Sequence, residues 1–270
     1  MKIKILGSGA WQGTPAPFCS CNLCQLAAKN LYCQDARTRP QFMVETKQGS
    51  FLIEVSPDIR TQSTRFSLPT VNDFVVSHWH FDHMYGLHEL LTWLKSLEIK
   101  PVVHGSIATK DKIEKEFNYL PFNFNLLEPY KKINLCGVDI TPLPLYHAFG
   151  IDEELSEEEI NNTFAYLLEY EGKRVVYLSD YYKIQPKILD KIKGVDVLIA
   201  DGTYLFTDKF KGIKLNHMHN EEILQLASSI GAKQVYFHSI SHLTGLNHQE
   251  MQAKLPENYF ISYDGLEIDL

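Results

Sequence analysis

A chain of 270 residues, 44% hydrophobic and 22% charged, has the composition of an ordinary soluble globular protein and suffices for one large α/β domain. No Pro/Gly/Ser-rich linker or shift of composition divides it, so a single domain over residues 1–270 is expected. Its apolar runs fall far short of the roughly 18 to 20 residues of a membrane span. A formal charge of −7 without Lys/Arg clusters speaks against an extended nucleic-acid surface. A small anionic substrate is still compatible, because bound metal ions would add positive charge that this count omits.

Met1-Lys2-Ile3-Lys4-Ile5-Leu6-Gly7 is a strand pattern ending in glycine, not a charged segment leading into a long apolar stretch, and a cytoplasmic location is expected. The glycine-rich stretch from Leu6 to Pro15 lacks the Lys-Ser/Thr ending of a phosphate-binding loop and predicts a tight turn. Cys19-Ser20-Cys21-Asn22-Leu23-Cys24 then places three of the five cysteines in six residues. In a cytoplasmic chain this spacing favours metal over disulfide, and three thiolates need a fourth ligand to close a tetrahedral zinc site. Cys33 is the nearest candidate in sequence. Residues 51–55 and 71–76 are short apolar strands flanking a turn at Asp58, which either orients a ligand histidine or caps its own turn.

The apolar run Val75-Val76 leads into Ser77-His78-Trp79-His80-Phe81-Asp82-His83, four ligand-type side chains within six residues. In an extended segment residues two apart point the same way, so His78 and His80 can meet one ion, while Asp82 and His83 fall where the chain turns into a helix. Imidazole with carboxylate suits Zn²⁺, Mn²⁺ or Fe²⁺ better than Ca²⁺ or Mg²⁺. Leu87, Leu90, Leu91 and Leu94 repeat at helical spacing, and His88, off that stripe, is expected to be solvated. His-x-His-x-Asp-His after a hydrophobic strand resembles the hallmark of the metallo-β-lactamase superfamily. That resemblance implies an α/β, four-layer αββα fold with a dinuclear metal centre at one edge of the sandwich. The cysteine cluster after a Gly-Ser-Gly turn, with Arg37-Thr38-Arg39 and Ser56-Pro57-Asp58-Ile59-Arg60, is similar to the PhnP branch. The phosphodiesterases of that branch, from bacterial carbon–phosphorus lyase pathways, open 5-phosphoribosyl 1,2-cyclic phosphate.

The same resemblance assigns the rest of the chain. His104 matches no ligand position and is read as structural, and Cys136 as buried in a strand-like run. His147, after the strand-like 140–146, fits the lone histidine of the pattern. Asp180, one strand later, fits the bridging aspartate, and a buried carboxylate there would need the paired charge that metal ions supply. Asp201, after the strand at 195–200, is a rival for that role but is read as a turn residue. Residues 148–162, rich in Asp and Glu, look like an insertion, either a short solvated helix or a lid over the site. As a lid it would set negative charge beside an anionic substrate. His217, just before a helical pattern at Ile223, Leu226, Ala227 and Ile230, matches the general acid; His219 has no match.

Gln234-Val235-Tyr236-Phe237-His238 runs into Ser239-Ile240-Ser241-His242. The branch pattern is similar to Thr-His-x-x-His, but here the two histidines stand four apart, and an ungapped match puts Ser239 at the first position. His238 is assigned to the catalytic metals and His242, in place of Cys33, to Cys19, Cys21 and Cys24. The expectation is then two divalent catalytic ions, Mn²⁺ or Zn²⁺, one on His78, His80 and His147, the other on Asp82, His83 and His238, bridged by Asp180, with one structural Zn²⁺. Asp82 and His217 would carry the reaction, hydrolysis of a small cyclic phosphodiester by a hydroxide between the ions. Another ester hydrolase on the same fold, RNase Z-like or thioester-cleaving, and a non-catalytic metal-binding protein akin to PqqB are the alternatives. A homodimer is left open.

Overall fold

The computed structural model describes residues 1–147, 159–207, 209 and 217–270. In chain order, β1 (Lys2–Gly7) is followed by α1 (Asn22–Lys29), β2 (Gln41–Thr46), β3 (Gly49–Ile53), α2 (Ile59–Phe66), β4 (Asp73–Val75), α3 (Phe81–Met84), α4 (Gly86–Ser96), β5 (Val102–Gly105), α5 (Ile107–Glu116) and β6 (Asn123–Leu126). The second half runs β7 (Ile133–Leu135), β8 (Val138–Pro144), β9 (Phe164–Tyr170), β10 (Lys173–Leu178), α6 (Pro186–Ile192), β11 (Val197–Asp201), α7 (Asn220–Ile230), β12 (Gln234–His238), α8 (His248–Gln252), β13 (Tyr259–Ile261) and β14 (Glu267–Asp269).

These strands form two mixed sheets of seven, ordered β14-β1-β2-β3-β4-β5-β6 and β13-β12-β11-β10-β9-β8-β7. Strict alternation along the strands decides the layers. Ile3, Ile5, Phe42, Val44, Phe51 and Ile53 of the first sheet meet Ile140, Tyr166, Val175, Tyr177 and Ile199 of the second in the sandwich interior. Their neighbours Met43, Leu52 and Phe74 point the other way, onto Leu87, Leu91 and Leu94 of α4 and Ile113 of α5. On the far side Val176, Leu198 and Phe237 pack against Ile188 of α6, Ile223 and Ala227 of α7, and Met251 of α8. The result is the αββα metallo-β-lactamase fold expected.

Several local readings change. The two short strands around Asp58 are β3 and β4, in parallel pairing, but the segment between them is the helix α2. Cys136 lies at the β7–β8 turn with φ 50° and is half-buried, because the hairpin turns there instead of continuing as a strand. The segment between His147 and Asp180 carries two strands, the hairpin β9–β10, where one was expected. Residues 148–158 of the acidic insertion lie outside the described residues.

Gly86, at the start of α4, has a positional reason. A Cβ there would collide with the Ser56 carbonyl oxygen. The close approach lets Gly86 N–H donate to the Val55 carbonyl at 3.0 Å, and Val55 N–H to that of His83 at 2.7 Å. The end of β3 is thereby fastened to the His83 turn.

Candidate metal centre

The cluster forms where loops from both sheets meet. After β4 the chain continues through Val76 and Ser77 to His78, and after β10 through Ser179 to Asp180. Ser77 Oγ lies 2.6 Å from Ser179 Oγ and 2.9 Å from His78 Nδ1, so hydroxyls tie the two loops and fix one ring. His80, extended at φ −60° and ψ 152°, is the N-cap of α3, and Asp82 and His83 lie in that single turn. His147 follows β8, where Tyr182 N–H donates to the Tyr146 carbonyl at 2.9 Å and draws it towards Asp180.

Asp180 Oδ2 is the centre of the arrangement. It lies 3.8 Å from Nε2 of His78, 3.4 Å from Nε2 of His83, 3.8 Å from Nε2 of His147 and 3.8 Å from Nε2 of His217. His147 Nε2 is 3.0 Å from His80 Nδ1, and His83 Nε2 is 3.3 Å from Asp82 Oδ2. Ligands bonded at about 2.0–2.1 Å to a tetrahedral ion stand roughly 3.3–3.4 Å apart, which these separations bracket. The ligand atoms of His78, His80, His147 and Asp180 lie within 4.8 Å of one another, as do those of Asp82, His83 and Asp180.

The chemistry of the pocket fits metal. His83 Nε2 and Asp180 Oδ1 are buried without a hydrogen-bond partner, positions that a cation would satisfy. Burial, aided by neighbouring histidines, holds His78 well below its usual range, and burial takes His80 to about 4, so both rings stay neutral, the form that binds metal. Burial raises the Asp180 carboxyl, a penalty that bound cations would reverse. His83 runs the other way: burial opposes its charge, but Asp82, Asp180 and Glu54 outweigh it and push the ring well up.

Glu54 was not foreseen. It is fully buried at the end of β3, with Oε1 accepting from Tyr177 Oη at 2.9 Å and facing His83 Nδ1 at 3.3 Å, while Oε2 accepts from Ser77 N–H at 3.2 Å. Asp58, the carboxylate considered for that role, instead binds Arg39 through its N–H at 2.9 Å and Nη1 at 2.8 Å, and its side chain makes no capping bond.

Asp201 sits in its turn and also reaches His217. Its Oδ1 accepts from Thr203 N–H and Oγ, as a turn residue would, but its Oδ2 lies 2.6 Å from His217 Nδ1. Asp180, Asp201 and His217 form a third compact group. Against burial, the charges of Asp201 and Asp180 raise His217 to about 9, so the ring carries a proton at neutral pH.

His238 is not brought to the cluster. Alternation along β12 sends Phe237 to the helix side and His238, like Tyr236, to the sandwich interior, where its ring lies 5.2 Å from those of Phe42 and Tyr177. Its Nε2 donates to the Leu178 carbonyl at 3.2 Å and its Nδ1 accepts from Ser239 Oγ at 2.8 Å. His88 is exposed on α4, and His104 is held between Asp73 at 2.8 Å and Asn125 at 3.0 Å.

At the other assembly, His242 Nδ1 lies 3.6 Å from Cys19 Sγ and 3.5 Å from Cys21 Sγ, and Cys24 completes a group within 4.8 Å. Zn–S bonds of about 2.3 Å and a Zn–N bond of about 2.0–2.1 Å in a tetrahedron place S and N about 3.6 Å apart. Cys33 stays outside this group. Burial pushes the Cys24 thiol up to about 12, which a bound cation would reverse by taking the thiolate.

The model of the β-lactamase superfamily domain matches residues 50–240. A protein named octanoyltransferase from Porphyromonas gingivalis is 26% identical over 270 residues, 99% of this chain, although the chain spans only 51% of that protein's length. Two crystal structures share the fold: a diphosphatase from the PhnP family (TM-score 0.82, 24% identity, covering 100% of this chain and 97% of that one) and Zn²⁺-bound PqqB from Methylobacterium extorquens (TM-score 0.86, 21% identity, covering 100% of both chains). No described helix is long and apolar enough to cross a membrane. The chain belongs to the β-lactamase superfamily and carries a buried His/Asp cluster that could hold metal.

Proposed function

We propose that this chain is a phosphodiesterase acting on small cyclic phosphodiesters of the phosphoribosyl cyclic phosphate or cyclic nucleotide type. The observation that carries the reading is the Asp201–His217 pair beside the metal cluster. Asp201 fixes His217 Nδ1 at 2.6 Å and leaves Nε2 directed at the cluster, 3.8 Å from Asp180 Oδ2. A diester expels an alkoxide, a poor leaving group that needs a proton as its bond to phosphorus breaks, whereas a thiolate leaves without one. Asp201, bonded to Nδ1, favours the protonated ring, which would supply that proton from Nε2.

His78, His80 and His147 with Asp180 would hold one divalent ion, and Asp82 and His83 with Asp180 another. Mn²⁺ or Zn²⁺ bound there would activate water as the nucleophile and neutralise phosphate oxygens. Glu54 keeps the His83 ring oriented, and the Ser77–Ser179 pair keeps the loops of the two sheets in register. The fold shared with a PhnP-family diphosphatase supports phosphoryl chemistry.

The test is His217→Ala across diesters of graded leaving group. Metal content should be retained, with turnover falling by about 10²–10⁴ for an alkoxide and far less for a nitrophenolate. Equal losses would remove the proton-donor role. The relative named octanoyltransferase favours a second reading, hydrolysis of an acyl thioester, for which His217→Ala should be nearly silent.

A further inference from the structure

We propose that Phe81, Arg39 and Trp11 form a shelf beside the metal cluster that takes the planar base of a nucleotide substrate. The inference rests on the phosphodiesterase reading and, among small cyclic diesters, selects those that carry a nucleobase.

The first sheet brings these residues to the edge where the cluster lies. β1 ends before Trp11, β2 begins just after Arg39, β3 ends before Asp58 and β4 ends before His78. Because β2 runs antiparallel to β1 and β3, while β3 and β4 are parallel, these four connections leave the sheet on one side. Ala10 N–H donates to the Ile240 carbonyl at 3.1 Å, which leans the Trp11 loop on the segment that follows β12. Phe81 stands between His80 and Asp82 as the first residue of α3, yet it is 47% exposed.

Arg39 is fixed by four hydrogen bonds. Its N–H and Nη1 donate to the two oxygens of Asp58 at 2.9 Å and 2.8 Å, its Nε donates to the Trp11 carbonyl at 3.0 Å, and its own carbonyl accepts from Gln62 Nε2 at 2.9 Å. These bonds hold the guanidinium 5.4 Å from the centroid of the Phe81 ring, a cation over a half-exposed aromatic face. Nη2 has no hydrogen-bond partner among the described residues. Trp11, tied through its carbonyl to the same guanidinium, is 58% exposed.

Charge selects the ligand. Asp58 already compensates Arg39, so the shelf offers little net attraction to a second phosphate. What is left is a flat guanidinium with one unspent nitrogen and two half-exposed rings, surfaces on which a base stacks and finds a donor. A nucleotide with its phosphate at the cluster carries its base one sugar away, and Phe81, next in the chain to His80 and Asp82, borders that approach. Because Arg39 is held in place before any ligand arrives, little ordering is lost on binding.

The experiment titrates the full Mn²⁺-loaded chain with adenosine 3′-monophosphate and, separately, with ribose 5-phosphate, by calorimetry. The mononucleotide should bind about 5–150-fold tighter, the range of one base–aromatic stack. Phe81→Ala should remove most of that preference and Phe81→Tyr should restore it. Trp11→Ala, away from the metal turn, should lower it about fivefold or more, and Arg39→Lys should lower it by losing the planar face. Equal affinity for the two ligands would overturn the proposal. So would tighter binding of ribose 5-phosphate, which would make Arg39 a phosphate site, or a preference that survives both Phe81→Ala and Trp11→Ala. No bond is cleaved in this titration, so the base shelf and the diester reading fail separately: a chain that prefers the mononucleotide but opens no cyclic diester keeps the first and loses the second.

Discussion

Glu54 Oε1 lies 3.3 Å from Nδ1 of His83, with both side chains wholly buried and Tyr177 Oη donating to the same oxygen. Facing Nδ1 across that distance, the carboxylate would orient the imidazole towards the cluster and strengthen Nε2 as a metal ligand. Glu54→Gln keeps the shape and the bond from Tyr177 but removes the charge. Metal affinity of the Asp82–His83 position should fall about 10–100-fold with the melting temperature in saturating metal little changed. Unchanged affinity, measured by metal titration, would show the ring to be held by packing alone.

Asp201→Asn separates orientation from charge at His217. An amide can still accept from Thr203 but no longer stabilises a protonated ring, so the proton donor should titrate lower. For an alkoxide leaving group the rate should drop about 10–100-fold, with the alkaline limb of the pH–rate profile moving to lower pH. A reduced rate with the limb unmoved would assign Asp201 to the turn only.

Cys24→Ser tests the second metal assembly. Zinc content should fall by one per chain and the melting temperature should drop, because the group joins the start of α1 and the residues before it to His242, more than two hundred residues on. Mn²⁺ binding at the His/Asp cluster should persist. Zinc content and melting temperature both unchanged would make the cysteines simple thiols.

His248 gives a pH signature away from the cluster. Burial, helped by the Arg37 guanidinium 3.2 Å from Nδ1, takes this ring from its ordinary 6.5 to about 4. Below about pH 6.5 the unfolded chain binds this proton while the folded chain does not, so stability present above that pH is lost as pH falls towards about 4. His248→Gln should therefore lose less stability between pH 7 and pH 5 than the parent, by denaturant midpoints. An equal loss would place the acid sensitivity elsewhere.

The residues that sequence made legible are those that cluster. Four ligand types in six residues at a strand-to-helix turn leave little else for His78, His80, Asp82 and His83 to do, and the apolar runs before Asp58, before His78 and through residues 234–238 are strands as read. Glu54 was not legible, because a lone glutamate at a strand end carries no spacing signal and its partners, Tyr177 and Ser77, come from distant segments. Asp201 looked like a turn residue and is one; its second carboxylate oxygen meets His217 only across the fold. His238 misled because it is still part of β12, where alternation turns it with Tyr236 into the sandwich interior against Phe42 and Tyr177 and away from the cluster.

The most direct test of the account is turnover by the Mn²⁺-loaded chain on 5-phosphoribosyl 1,2-cyclic phosphate, 2′,3′-cyclic nucleotides and an acyl thioester, side by side. Opening of a cyclic diester at about 1 s⁻¹ or faster, with the thioester untouched, is the predicted result. Thioester cleavage without any diester opening, in protein carrying both ions, would contradict it.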